Sequence, residues 1–308
     1  MAFFMDQREK AMDANAITRA YFDEILIEMR HIDNKIPDTT LHLYGETFST
    51  PIMMAALSHL KGQGNEGDGM VQMAEGAKLA NAVNWAGMGE IEQFDRIAAT
   101  GARSIKIIKP YDDENMVLER MDRAEAAGAL AVGMDLDHSF GGNGKPDVVL
   151  GLKMRPRTMK ELESYVKRTK LPFVIKGVLS ATDAQKCLDA GVQGIVVSHH
   201  HGILPTAVPP LMVLPEIVRV IGGRIPIFVD CGVMNGTDAF KCLAMGATAV
   251  SVGRPVMQPI IERGAQGAAD VISAVTAELA GAMARTCSPD ITHIDPTVLW
   301  RRNGVHAI

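Results

Sequence analysis

A chain of 308 residues, 47% hydrophobic and 22% charged, has ample material for a core and the length of one α/β barrel or two smaller domains. A formal charge of −5 argues against broad binding to nucleic acid or to an anionic membrane. Four cysteines without metal-ligand spacing, no apolar stretch near the roughly 20 residues of a membrane span, and a start lacking a signal-like basic end lead to the expectation of a reduced, cytoplasmic chain.

Residues 7–31 read as one helix, with charged residues among Ala, Ile, Phe and Leu, and residues 35–49 as a short hairpin or extended lead-in. From Thr50 short runs rich in Val and Ile alternate with helical patterns. The runs are 52–55, 80–84, 104–108, 129–136, 173–176, 194–198, 227–230 and 247–252. Helices are expected at 70–78, 91–99, 114–127, 158–169, 181–190, 210–221 and 237–244, with a closing helix over 265–284. Several stop at glycine, as at Gly191 and Gly246. Eight β/α pairs close a barrel, so the predicted architecture is α/β: a single (β/α)8 barrel over 50–308 behind an N-terminal helix and lead-in over 1–49. An open doubly wound sheet would carry a glycine-rich turn after its first strand, and Pro51 to Ser58 has none. The longest irregular stretches, 57–69 and 137–157, follow strand C-termini, where active-site loops belong.

Polar residues sit just after the apolar runs. Lys176, the run Ser198-His199-His200-His201, Asp230 and Arg254 fall at successive strand ends and therefore around one mouth. Three consecutive histidines on an extended segment alternate sides and cannot share one metal ion, so no metal is expected.

From Thr50 to about Trp300 the chain resembles the FMN-dependent α-hydroxy-acid oxidases and dehydrogenases. The likeness is carried by Lys176-Gly177-Val178, the Val197-Ser198-His199-His200 stretch, Gly223 to Pro226, Gly236 to Asp238 and Gly253-Arg254-Pro255, with Asp137 ending the fourth strand. It implies FMN at the strand C-termini. By resemblance Lys176 faces the flavin and stabilises the charge that reduction puts on it, while Gly253, Arg254 and Gly232 serve its phosphate. Ser198, Asn84, Lys106, Asp135 and Asp230 occupy strand-end positions for further cofactor contacts. His200 aligns with the base that takes the substrate hydroxyl proton, and Asp137 with the carboxylate that steadies the resulting imidazolium. A homo-oligomer, tetrameric or octameric, is implied as well, with a small molecule as substrate and neither nucleic acid nor membrane as partner.

The departures are informative. Where the family places two arginines on the substrate carboxylate, this chain has Phe140 and Ile203, and Met234 replaces an arginine near the phosphate. Losing one buried charge partner costs roughly 2–5 kcal/mol, so a simple 2-hydroxy acid is a poor expectation and a neutral carbinol a better one. His138, His201 or His59 would then stand in as neutral hydrogen-bond donors to the substrate. Two other functions stay open at this level: an isomerase or lyase using FMN for acid–base chemistry, and a non-catalytic barrel that has lost FMN.

Overall fold

The apolar runs become eight parallel strands: β1 (Ile52–Met54), β2 (Asn84–Ala86), β3 (Ser104–Ile108), β4 (Ala131–Asp135), β5 (Phe173–Val178), β6 (Gly194–Val197), β7 (Ile227–Val229) and β8 (Ala249–Val252). This is a computed structural model, describing residues 13–64 and 67–307. The strands pair in sequence order from β2 to β8, and β8 pairs with β1. Met54 N–H donates to Val83 O at 3.0 Å and Leu57 bridges Ala86, which closes the ring between β1 and β2. The result is the predicted (β/α)8 barrel.

Its floor is dry and aromatic. Trp85 on β2 meets Phe228 on β7 edge-to-face at 5.3 Å, an arrangement worth roughly 0.5–1.5 kcal/mol beyond area burial. The lead-in forms a hairpin, Leu41–Leu43 with Glu46–Phe48, as expected. Tyr44 at its turn donates to Gln193 O at 2.9 Å, and Gly194 leaves room for that hydroxyl, so the hairpin plugs the N-terminal end of the barrel.

Two elements differ from the sequence reading. The first helix, α1, covers only Ala14–Glu24; Asp13 caps it and Ile25–Ile27 is a strand, antiparallel to Leu299–Arg301. That part of the expected 7–31 helix before residue 13 lies outside the described residues. The ring helices are α2 (Gly69–Leu79), α3 (Ile91–Ala99), α4 (Glu114–Ala126), α5 (Met159–Arg168), α6 (Ala181–Asp189), α7 (Pro210–Ile221) and α8 (Gly236–Ala244). The closing helix begins after Gly264 and runs to Ala284, as expected; the unexpected element is a further helix over 254–263 in front of it, set off by non-helical φ/ψ at Gly264, and the pair, Arg254–Ala284, is labelled α9. It is long and apolar enough by composition to cross a bilayer, yet it packs along α2 and α8 and buries Val256, Ile260, Ile272 and Leu279.

Glycine positions hold the layers together. Gly232 has φ +99°, and a Cβ there would lie 2.6 Å from Thr18 Cγ2 on α1, so its bareness admits that helix. A Cβ on Gly236 would strike the α9 backbone at Leu279. Gly232→Ala is expected to cost roughly 1–3 kcal/mol in urea denaturation. An unchanged midpoint would show that α1 does not dock as described.

Candidate active site

At the C-terminal mouth lies a cavity of about 320 Å³, within the range of small-molecule sites. Its wall includes Ala55, Lys176, His200, Asp230, Gly232, Ser251, Gly253 and Arg254, from β1, β5, β6, β7 and β8 and the loops beyond them. Strand alternation explains the choice: on a closed barrel every second residue points inward, and the last inward residue of each strand reaches the mouth.

Lys176 is the hub. Its Nζ lies 2.9 Å from His200 Nδ1, 3.4 Å from Asp135 Oδ1, 3.7 Å from Asp137 Oδ2 and 3.9 Å from Asp230 Oδ2. Burial opposes its charge, but the three carboxylates outweigh that and hold its pKa above the ordinary lysine value. Asp135 is fully enclosed, a cost that Lys176, His200 and Lys109 overcome, leaving it ionised well below the usual carboxylate range. Lys109 reaches it at 2.6 Å. Asp137 goes the other way: burial, with Asp135 nearby, pushes it to about 6 against the pull of Lys176. Its Oδ1 stands 2.8 Å from His200 Nδ1, but neither oxygen has a donor in line. Gly177 makes space for this carboxylate, since at φ +94° a Cβ would meet Asp137 Oδ2 at 2.7 Å.

The histidine run turns sharply. His200 and His201 both have positive φ, 46° and 56°, and Cys231 and His59 share that conformation on neighbouring loops. Such strain in side-chain-bearing residues persists where surrounding contacts over-determine it. Ser198 Oγ accepts from His200 N–H at 3.1 Å, so Ser198 shapes the turn instead of lining the cavity. His199 is buried; its Nδ1 accepts from Gly202 N–H and its Nε2 meets Thr18 Oγ1 at 2.8 Å. Asn15 donates to His201 O at 3.0 Å, and Arg19 grips Asp238 through two bonds at 2.8 and 2.9 Å. Helix α1 thus forms the back of the catalytic-side loop. His201 itself is exposed on the cavity rim.

His138 joins His200. Their Nε2 atoms are 2.9 Å apart with the rings edge-to-face, and Asp147 Oδ2 sits 2.7 Å from His138 Nδ1. Two carboxylates and two histidines therefore converge, but the Lys176 ammonium already occupies the cationic position among them. His200 has its pKa raised: burial lowers it, and the facing carboxylates of Asp135 and Asp137 more than compensate.

Other predicted residues lie elsewhere. Asn84 opens β2 instead of ending it, level with Ser104 at the far end of β3, and its amide donates to Ser104 Oγ. Lys106 faces the helix layer, over the Phe94 ring and beside Arg120, where burial pushes its pKa down to about 7. It is Lys109, the polar residue after the full run of β3, that reaches the mouth. His59 is exposed and does not line the cavity; Phe140 and Ile203 stand partly exposed beside the His138 and His200 loops.

The phosphate end is simple. Gly253 is the N-cap of α9 with no side chain capping it, Arg254 is the first helical residue, and both line the cavity. A helix dipole with the guanidinium and backbone N–H of Arg254 at one point suits a phosphate; Pro255 offers no N–H, and that of Val256 donates to Gly253 O. Together with Lys176 deep in the same cavity, the donor set fits a flavin mononucleotide, whose ring takes on negative charge when reduced and whose phosphate carries it always.

A barrel that gathers a buried cation, an imidazole and an uncapped helix end at one mouth is built as a cofactor-dependent enzyme. Comparison with known proteins makes the class specific: the chain belongs to the family of FMN-dependent dehydrogenases, which matches it over residues 3–166 and 153–301. It is 31% identical to glycolate oxidase of Spinacia oleracea over 91% of this chain and 84% of that one, and 29% identical to a peroxisomal (S)-2-hydroxyacid oxidase of Arabidopsis thaliana over 94% and 87%. Among solved structures, a mandelate oxidase variant with an FMN adduct superposes with TM-score 0.84 at 27% identity, covering 95% and 92% of the two chains. An arginine-to-leucine variant of mandelate oxidase with 2-hydroxy-phenylacetamide gives TM-score 0.83 at 28% identity, covering 96% and 91%. The protein is an FMN-dependent oxidoreductase of the hydroxy-acid oxidase type, acting on CH–OH.

Proposed function

We propose that this enzyme oxidises a neutral carbinol rather than a simple 2-hydroxy acid, with His200 as the base. The observation that carries this is the charge on the cavity wall: among the described residues lining it, the lysine and arginine side chains are Lys176 and Arg254. Lys176 is surrounded by carboxylates, and Arg254 belongs to the phosphate end. That leaves no guanidinium for a substrate carboxylate among them, in keeping with Phe140 and Ile203 in the sequence. Additional support comes from the mandelate oxidase variant that has lost an arginine and holds a 2-hydroxy amide.

FMN, when bound, supplies the hydride acceptor. Lys176 would hold the polar edge of the flavin, and Arg254, by its guanidinium and backbone N–H at the start of α9, would hold its phosphate. His200 takes the hydroxyl proton at Nε2, forming an N–H bond as the substrate O–H breaks. Asp135 and Asp137, on the Nδ1 side, balance the imidazolium, and Ser198 keeps the backbone of His200 in its turn.

Arg254→Ala should weaken FMN roughly ten- to hundredfold, read by flavin fluorescence titration of the stripped protein. Unaltered affinity would remove Arg254 from the phosphate site. Anaerobic mixing of the FMN-loaded enzyme with neutral secondary alcohols tests the proposed reaction, and a flavin that none of them bleaches would refute it.

A further inference from the structure

We infer that His138, oriented by Asp147, accepts a hydrogen bond from a second donor on the substrate, an O–H or N–H on the atom next to the carbinol carbon. This rests on the proposed neutral-carbinol reading and narrows it to vicinal diols and 2-hydroxy amides.

Asp147, which no sequence pattern marked, sets the tautomer of His138. Its carboxylate Oδ2 is 2.7 Å from His138 Nδ1, and a carboxylate only accepts, so the hydrogen is on Nδ1. A neutral imidazole has one N–H, which leaves Nε2 of His138 as a bare acceptor. In the present arrangement that acceptor meets His200 Nε2 at 2.9 Å, where the charged form of His200 supplies the hydrogen; the neutral form that acts as base has released it. When a carbinol takes the Nε2 of His200, the lone pair of His138 still faces the same small space. It then needs a donor, and the nearest available position is the group adjacent to the carbinol. A carboxylate there offers lone pairs to a lone pair; an amide or hydroxyl offers hydrogen.

The device is built into the fold. Asp147 is pinned on both sides, its N–H donating to Ser139 O at 3.3 Å and its carbonyl accepting from Met154 N–H at 2.8 Å. Its other carboxylate oxygen accepts from Val148 N–H. The segment that follows is stitched to the barrel by Asp112 N–H to Lys153 O and Arg155 N–H to Pro110 O, and by Arg155 and Arg157 on Glu114 and Glu161. Asp147 is therefore a positioning residue held by main-chain bonds. The charged and titratable groups facing His138 are Asp147, His200, Asp135, Asp137 and Lys109; burial and Lys109 keep its pKa below the ordinary value and its ring neutral. The sequence had suggested the opposite polarity, a histidine donating to the substrate.

The test uses the full-length, FMN-loaded enzyme. With 15N-labelled histidine, the resonances lost in His138→Gln should report hydrogen on Nδ1 and none on Nε2 at neutral pH, and Asp147→Asn should shift that tautomer. Hydrogen on Nε2, or a charged ring, overturns the inference. Binding is read separately, from flavin difference spectra with 2-hydroxy-phenylacetamide and with methyl mandelate, both neutral and differing in the N–H donor. The amide should bind roughly tenfold or more tightly, and the preference should collapse in Asp147→Asn and His138→Gln while the methyl ester is little affected. Equal binding of amide and ester to the native enzyme overturns the inference even if both reduce the flavin. Tight, amide-selective binding without flavin reduction would instead refute the neutral-carbinol reaction and leave the hydrogen-bond assignment standing.

Discussion

Replacing His200 by alanine is expected to slow substrate-dependent flavin reduction by roughly 10²–10⁴-fold while FMN stays bound. In the proposed arrangement Arg254 holds the phosphate and Lys176 the ring, both lining the cavity, so the imidazole is not required for retention. Asp137→Asn should slow the same step less, because Asp135 remains at 3.3 Å from Nδ1 to share the charge. The pH profile follows from sign. The nearby carboxylates of Asp135 and Asp137 raise the His200 pKa over the opposing effect of burial, and only the neutral ring can accept a proton. The rate should therefore rise with pH through a value above the ordinary histidine range, and Asp137→Asn should move that inflection down. Anaerobic stopped-flow absorbance across pH measures both. Unchanged kinetics in His200→Ala, or a native inflection below the ordinary range, would count against His200 as the base.

Glycolate, lactate and mandelate should reduce the flavin at least a hundredfold more slowly, at equal low concentration, than the best neutral carbinol. The estimate takes the roughly 2–5 kcal/mol lost when a buried charge has no partner. Rapid reduction by lactate or glycolate at neutral pH would contradict it. A protonated His138 or His201 could supply a substitute positive charge, and the resulting hydroxy-acid activity would increase as pH falls. His200 imposes the reverse trend, since it works when neutral. The direction of the profile with a hydroxy acid thus separates the two cases in one experiment.

Much of the barrel was legible because buried parallel strands are continuous Val- and Ile-rich runs punctuated by helices that stop at glycine. Lys176, His200 and Asp137 could be placed at the mouth on that basis and by family likeness, and they do converge. Asn84 was misplaced because Ala80 caps α2 and the apolar run before Asn84 is the approach to a three-residue strand, so the strand begins where it was expected to end. Lys106 was named and Lys109 passed over for a related reason: Lys109 lies one residue past the run 104–108, and only alternation counted inward from the barrel floor tells which lysine faces the mouth. Asp147 arrives through tertiary hydrogen bonds in an irregular loop and left no local trace. The strand Ile25–Ile27 looked like the tail of a helix because its partner, Leu299–Arg301, lies at the other end of the chain.

Helix α1 has a consequence for how this enzyme comes into being. Thr18, Asn15 and Arg19 bond to His199, His201 and Asp238, at sequence separations of 181, 186 and 219 residues. The earliest-synthesised helix of the described chain thus cannot reach its seat until almost four-fifths of the polypeptide has been made. Long-range closure of this kind delays folding, since chain entropy is lost before the contacts repay it. The loop bearing His200 is accordingly left without its full backing for most of elongation, and the cavity acquires its final shape only when the first helix has met elements from the last third of the chain.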